Sequence, residues 1–288
     1  MMTRTFFTST IVLFLSVLLP FSSPAQKKTT LNIATFNIRL NTASDKENAW
    51  PNRKDMVKEL IQYHDFDIFG VQEALAVQMS DLSEMSQYSH VGVGRDDGKT
   101  GGEFSAIFYK RKKYQVIKSG TFWLSPTPDK PSKGWDAAYI RVCTWAQFRD
   151  RASGKEFFMF NTHFDNEGVQ ARENAAKMIL EKIKAISNAK SPVFITGDFN
   201  SDPSTTAYGT IVGAFSDSKL VSSAKPYGPE QTFNGFKYHA YTTEVTEGRI
   251  DFIFVNKNVQ VLKYGVLTDS KDLRFPSDHF PVVCKVSF

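Results

Sequence analysis

The sequence predicts an α/β fold in which two mixed β-sheets pack together and are flanked by helices. Three observations predict it. From residue 31 to residue 288, apolar strand-like runs and helix-period segments follow one another in two strand-rich halves. Several neighbouring strand-like runs form hairpin-like pairs, which argues for mixed rather than purely parallel sheets. The glycine fingerprint of a doubly wound nucleotide-binding fold is missing.

Residues 1–25 stand outside this pattern. Arg4 precedes the apolar run Ile11–Leu19, then Pro20 and the small-residue stretch Ser23-Pro24-Ala25. That order of charged, apolar and small segments reads as a signal peptide cut near Ala25, so the protein is expected to be exported, to a periplasm or out of the cell. The apolar run is too short for a comfortable bilayer span, so no stable membrane insertion is expected. Residues 26–288 show no linker and no repeat, and read as one domain. We expect a monomer. The formal net charge of +5 is mildly basic; it favours an anionic substrate but falls well short of a nucleic-acid-binding tail. The basic cluster Lys110–Lys113 lies between two strand-like runs, as a solvated hairpin turn or a phosphate patch would. Cys143 and Cys284 could pair in an exported chain, but both sit in apolar runs, which favours buried thiols. No clustered Cys or His suggests a zinc site.

Residues 31–36 read as a first strand, with Asn37 at its end. Pro51 opens a helix to about His64, with Met56, Val57, Leu60 and Ile61 on one face. A strand over 66–71 ends in Gln72-Glu73, and a helix covers about 75–86. Strands are expected near 104–109, 114–123, 138–148 and 156–162, the last ending Asn161-Thr162-His163, and His90 is read at the start of another. A long helix over 169–187 buries Ala175, Ala176, Ile179, Ile183 and Ile186. Pro192–Ile195 is a buried strand that runs out through Gly197-Asp198-Phe199-Asn200 into Ser201-Asp202-Pro203. Residues 213–248 form a looser region. Strands follow over 249–255 and 259–267, and Ser277-Asp278-His279 leads into the last one.

The polar groups that abut these strands carry the chemistry. They are Asn37, Glu73, Glu103, His163, Asp198, Asn200, Asp251, Asp278 and His279. Asp198 and Asn200, two apart, project together from the rim of a core. By themselves they fit an ordinary Asx turn; it is the recurrence of strand ends with reactive groups that points to a site. No Ser or Cys nucleophile is flanked by a base. Oxygen-rich donors suit Mg²⁺, Mn²⁺ or Ca²⁺, and histidines beside carboxylates suit proton transfer and oxyanion stabilisation. Together these are the parts for attack of water on a phosphate ester with a metal as Lewis acid.

Six segments, Thr35–Arg39, Val71–Glu73, Asn161–Asp165, Gly197–Asn200, Arg249–Ile253 and Ser277–Val282, resemble in order the motifs of the endonuclease/exonuclease/phosphatase superfamily. That group includes deoxyribonuclease I, abasic-site endonucleases, neutral sphingomyelinases, inositol polyphosphate 5-phosphatases and deadenylases. The resemblance implies a four-layered α/β sandwich. It implies Glu73 as the main metal ligand for Mg²⁺ (or Mn²⁺), with Asn37 in support and Asp278 as a second carboxylate. It implies that Asp198 orients or deprotonates the attacking water and that Asn200 holds the water or the phosphate. By the same resemblance Asp251 polarises His279 against a phosphoryl oxygen, His163 lies across the phosphate, and Glu103 orients His163. Arg39 and Arg141 would bind substrate, Arg141 reaching phosphate with a bidentate guanidinium. For Glu103 and Arg141 the plainer alternative is a strand-end ion pair.

A phosphodiester, and so a nuclease-like activity on nucleic acid, is the substrate the resemblance favours. A small phosphorylated metabolite or a phospholipid headgroup is the alternative, and a non-catalytic binding module on the same fold is a third reading. Trp50, Trp123 and Trp135 could stack on a base or sugar, but packing is the commoner role for Trp. His64, His90 and His239 read as structural or as exposed loop residues.

Overall fold

The computed structural model describes residues 1–3, 5–6, 28–237 and 248–288. The signal-peptide reading rests almost wholly on residues outside that set, and His239 lies outside it too. Among the described residues no helix is long and apolar enough to cross a membrane.

Among the described residues, four α-helices and twelve strands follow in order: β1 (Thr30–Asn37), α1 (Lys54–Tyr63), β2 (Ile68–Gln72), α2 (Ala76–Ser83), β3 (Tyr88–Val91), β4 (Ile107–Lys110), β5 (Tyr114–Trp123), β6 (Val142–Asp150), β7 (Glu156–His163), α3 (Val169–Ile186), β8 (Val193–Asp198), α4 (Thr206–Val212), β9 (Ser216–Asp217), β10 (Asp251–Val255), β11 (Gln260–Val266) and β12 (Val282–Ser287). They build two six-stranded sheets, ordered β11-β12-β1-β2-β4-β3 and β5-β6-β7-β8-β10-β9. Both sheets are mixed. Each holds a parallel pair, β1 with β2 and β7 with β8, among antiparallel neighbours.

Period-2 alternation along the strands separates the layers. Ile253 and Val255 of β10 enter the core between the sheets, with Ile33, Ile68, Phe157 and Val282. Phe252 and Phe254 face the other way and pack under α3 and α4, against Ala176, Ile179 and Ile211. On the far side, Phe36, Phe69 and Phe108 pack against Val57, Leu60 and Ile61 of α1 and Leu82 of α2. The result is the expected helix–sheet–sheet–helix sandwich. Fully burying each large apolar side chain contributes about 1.5–3 kcal/mol, so these three clusters dominate the stability.

Several boundaries differ from the sequence reading, for local reasons. The helix expected from Pro51 begins as a separate 3₁₀ turn, Trp50–Asn52, and Met56 is only half-buried. The strand expected near 104 starts at Ile107, because Phe104 bridges to Ala74 and Gly94 instead. The strand expected from 138 starts at Val142, because the Ala138 and Tyr139 N–H groups donate to the Asp165 carboxylate. His90 lies within β3 rather than at its start. The loose region contains β9, which pairs with β10, and is preceded by the unanticipated α4. Cys143 and Cys284 are free and buried, on different sheets.

Candidate active site

The two parallel pairs place the site. In each pair a helix returns the chain so that both strands end on the same side, where open α/β sheets collect ligands. The register sets Asn37 opposite Gln72, the residue before Glu73, in one sheet, and His163 opposite Asp198 in the other. Asp251 is opposite Asp198 on the strand beyond. Residues 277–279 enter from the start of β12, where the Ser277 hydroxyl donates to the Asn37 carbonyl at 2.7 Å.

The chain turns sharply here. Arg39, Glu73 and Asn200 adopt φ values of 55°, 64° and 44°. For Arg and Glu this left-handed backbone costs of order 1 kcal/mol, which the surrounding hydrogen bonds must offset. Two glycines make the approach of the strands feasible. A Cβ on Gly197 would lie 2.2 Å from the Thr162 carbonyl oxygen. A Cβ on Gly70 would lie 2.1 Å from Oδ1 of Asn161. Through the space at Gly70, the fully buried Asn161 amide crosses from one sheet to the other. Its Nδ2 donates to the Val71 and Ala106 carbonyls, each at 2.9 Å. Its Oδ1 accepts from Gln72 Nε2 at 2.7 Å and from Thr196 Oγ1 at 3.0 Å.

Above this crossbar the structure brings together every site residue singled out in the sequence. Asn37 Nδ2 donates to Glu73 Oε1 at 3.1 Å and to Asp198 Oδ2 at 3.0 Å. Glu73 Oε2 accepts the Leu40 N–H at 3.0 Å. Arg39 forms two hydrogen bonds to Asp45 and stands 3.8 Å from both Glu73 and Asp278. Asp198 Oδ1 accepts the Asn200 N–H at 2.9 Å, and its Oδ2 lies 3.5 Å from His163 Nε2 and 3.8 Å from His279 Nε2. Asp251 Oδ2 is 2.8 Å from His279 Nδ1.

The two histidines flanking Asp198 have opposite electrostatics. Burial and the nearby Arg141 guanidinium depress His163 to about 3, so its ring is neutral at pH 7. Asn200 Nδ2 donates to His163 Nε2 at 3.1 Å, which places the ring proton on Nδ1. Burial opposes charge on His279 as well, but the Asp251, Asp198 and Asp278 carboxylates outweigh it and raise His279 well above the ordinary imidazole value. Burial and the neighbouring Asp251 charge raise Asp198. Burial also raises Asp278, with Glu73 adding to the effect. Glu73 is held below the usual range: burial alone would raise it, but the nearby histidines and the Leu40 N–H prevail.

A sequence profile of the Endonuclease/Exonuclease/phosphatase family matches residues 34–279. The chain belongs to that family. Among solved structures it is similar to an endonuclease/exonuclease/phosphatase family protein of Bacteroides thetaiotaomicron, at 41% identity over 91% of this chain and 99% of that one, with a TM-score of 0.86. It is also similar to a mannosyl-6-phosphatase of Bacteroides thetaiotaomicron, at 42% identity over 90% of this chain and 100% of that one, with a TM-score of 0.85. The 3′-5′-exoribonuclease subunit Ccr4 of the CCR4-Not complex of Mycosarcoma maydis is 27% identical over 81% of this chain and 44% of its own length. The chain spans about half the length of the curated relatives it matches, from 41% to 60% of them. Members of the family hydrolyse phosphoester bonds and generally depend on a divalent metal.

Two donor sets are candidates for such an ion, and the first fits it. Glu73 and Asp278 are two largely buried carboxylates on the cleft wall, countered directly by Arg39 at 3.8 Å from each, and oxygen donors in negative excess suit a hard divalent cation. Asp198, Asp251 and His279 form a second, buried group whose donor atoms lie within 4.8 Å of one another. There, however, His279 Nδ1 is already hydrogen-bonded to Asp251, and a protonated imidazole cannot ligate.

The family cleft, about 630 Å³, also has walls that the sequence reading missed: Arg95, Tyr139, Asn166, Phe233 and Ile250. Ile250 lies inside the Arg249–Ile253 segment and Asn166 directly follows Asn161–Asp165, whereas Arg95, Tyr139 and Phe233 lie outside all six segments. Arg95 takes the carboxylate expected to orient a histidine: its NH1 donates to Glu103 Oε2 at 2.7 Å, whereas Glu103 stands 3.7 Å from His163 Nδ1, too far for a hydrogen bond. Arg141 is on the cleft wall and is also ion-paired, with Nε 3.4 Å from Asp165 and NH2 3.0 Å from Asn166 Oδ1. Buried Arg53 was missed too. It ties the loop after β1 to residue 276, donating to the carbonyls of Ile38, Arg39 and Pro276. Trp50 and Trp123 are buried packing residues that donate to Asp81 and to the Arg95 carbonyl, and neither they nor Trp135 line the cleft. Lys110 and Lys113 clasp Asp67 at the turn between β4 and β5, away from the cleft.

Proposed function

We propose that the chain is a Mg²⁺-dependent phosphoester hydrolase that cleaves phosphomonoesters of small polar molecules, with sugar phosphates as the substrate class. The observation that supports it best is the placement of Asp198 between a neutral and a cationic histidine. Asp198 is oriented by the Asn37 amide and the Asn200 N–H, and its raised proton affinity suits it to take a proton from water. His279, charged and held by Asp251, donates toward a phosphoryl oxygen as negative charge develops on it. His163, with Nε2 engaged by Asn200, fixes the opposite wall. Glu73 and Asp278, supported by Asn37, would hold the Mg²⁺ ion, which supplies Lewis-acid stabilisation when bound. The compact cleft and the likeness to a mannosyl-6-phosphatase favour a small monoester. The likeness to the Ccr4 exoribonuclease keeps a phosphodiester as the second reading.

A panel of sugar phosphates, aryl phosphates, bis-aryl phosphodiesters and single-stranded oligonucleotides, assayed with Mg²⁺ and with EDTA, tests this. Sugar phosphates should turn over fastest, and only with metal. Preference for oligonucleotides would replace the monoester reading by the diester one. Export and cleavage near Ala25 are part of the proposal, and N-terminal sequencing of the mature protein from the expressing cell checks them.

A further inference from the structure

We infer that Arg95 and Tyr139, with Glu103 and Asn166 beside them, form a recognition subsite for a neutral polyhydroxyl group, the alcohol half of the ester. The inference rests on the hydrolase reading above and specifies what the far end of that cleft holds.

Position comes first. A chain of contacts leads away from the reaction centre: Asp198 to His163 at 3.5 Å, His163 to Glu103 at 3.7 Å, and Glu103 to Arg95 at 2.7 Å. The guanidinium carbons of Arg95 and Arg141 each lie 5.6 Å from the Tyr139 ring centre. These groups share one cavity with Asp198 and His279 but are separated from Asp198 by the His163 ring. They are placed to touch what is attached to a phosphoryl group, rather than the group itself.

Charge decides the chemical class. Arg95 is paired with Glu103, and Arg141 with Asp165. The two cations are matched by two anions, so this end offers little excess positive charge to the further phosphates of a nucleic-acid strand, whose affinity depends on uncompensated cations. What it does offer is donors and acceptors in planar arrays. Arg95 spends one terminal nitrogen on Glu103, and its buried Nε has no hydrogen-bond partner among the described residues. Asn166 spends its Oδ1 on Arg141 and keeps its amide donors uncommitted among the described residues. Donors and acceptors side by side can serve hydroxyls, which both donate and accept. Tyr139 adds an aromatic surface that is 49% exposed despite its two guanidinium neighbours, as a platform for the C–H face of a ring would be. The array is preorganised. The Arg95 N–H donates to the Glu103 carbonyl at 3.1 Å, and the Arg95 carbonyl accepts the Trp123 indole at 2.7 Å.

The test compares kcat/KM for a hexose 6-phosphate and for p-nitrophenyl phosphate in the wild type, Tyr139→Ala and Arg95→Met, with thermal melts of each. The ratio of the two values should fall about tenfold or more in both variants, the lower end of what losing one substrate contact costs in discrimination. A ratio that stays constant overturns the inference. Should Arg95→Met fail to fold, the exposed Tyr139→Ala still decides. Saturation-transfer NMR with a methyl hexopyranoside, which carries no phosphate, is the second measurement, made on the Mg²⁺-supplemented protein. Transfer to the sugar ring that weakens in Tyr139→Ala supports the subsite, and no transfer in the wild type refutes it. A wild type that hydrolyses neither ester overturns the hydrolase reading, and the NMR arm then judges the subsite alone.

Discussion

The two ends of the cleft are built from the same residue types to opposite effect. At one end two carboxylates, Glu73 and Asp278, stand 3.8 Å from Arg39, which is itself hydrogen-bonded to a third carboxylate, Asp45, while buried Arg53 acts on Asp278 from further off, so three anions meet two cations. At the other end two guanidiniums, Arg95 and Arg141, are matched by Glu103 and Asp165. The first end is left with negative charge that one more cation would neutralise. The second is electrically closed and can only make directional contacts. On the proposed function chemistry falls to the first end and selection to the second, so damage should read out differently at each.

Removing the cation should have the largest effect. Chelation with EDTA should abolish turnover, and Mg²⁺ or Mn²⁺ should restore it; full activity in a metal-free preparation would end the claim that the acidic end recruits an ion. Next come His279, proposed to meet the phosphoryl group, and the Asp251 that holds it. His279→Ala and Asp251→Asn should each lower turnover by about two to four orders of magnitude, the range for a lost acid–base or oxyanion group. Because the two share one hydrogen bond of 2.8 Å, the double variant should be little worse than the worse single one. Losses that multiply would show two independent devices.

A third prediction concerns what holds the ends apart. Asn161→Ala removes four hydrogen bonds from the core, those with the Val71 and Ala106 carbonyls, the Gln72 amide and the Thr196 hydroxyl, and each such bond contributes about 0.5–1.5 kcal/mol. The variant should lose roughly 3 kcal/mol of unfolding free energy in urea titrations; a stability within experimental error of wild type would mean that the sheets hold their spacing without it.

The smallest effect belongs to the balanced end. Asp165 accepts N–H bonds from Gly168, Ala138 and Tyr139, and although burial pushes its carboxyl up, these bonds and Arg141 bring it down to about 2. A carboxyl depressed in the folded state stabilises above its unfolded value, near 4, and that contribution fades as pH falls toward 2. Asp165→Asn should therefore lower stability by about 1.5–3 kcal/mol at pH 7, the scale for a hydrogen bond to a charged group, and by progressively less below pH 4. Melts from pH 2 to 7 would reveal it; a deficit that grows on acidification would contradict the assignment. Turnover should change less here than in any variant of the acidic end.

The asymmetry also explains what the sequence could disclose. Residues such as Asp198, Asp251 and His279 sit at strand ends inside short motifs, where spacing along the chain coincides with spacing in space. Sheet order was legible only as a class, because the pairing of β1 with both β12 and β2 joins segments distant along the chain. Arg95 could not be found in advance. It lies in a loop, and its meeting with Glu103 and Tyr139 depends on how two separate loops fold back over the sheet edge. The start of β6 was misplaced for a related reason: the apolar pattern reads as strand from 138, but Asp165 takes the N–H groups that would have joined the ladder.

Asn161 has one further consequence. A buried side chain that bridges the sheets, with the Asn37–Asp198 hydrogen bond above it, works like the fixed bar of a caliper: it sets the gap and keeps the jaws from sliding past one another. Substrates of different girth are then accommodated by the side chains mounted on the jaws, not by movement of the jaws. An engineer wishing to retarget the protein should keep Gly70 and Asn161 as they are and work outward, exchanging Tyr139, Asn166 and Phe233, since the frame will hold the reacting groups in place while the mouth is recut.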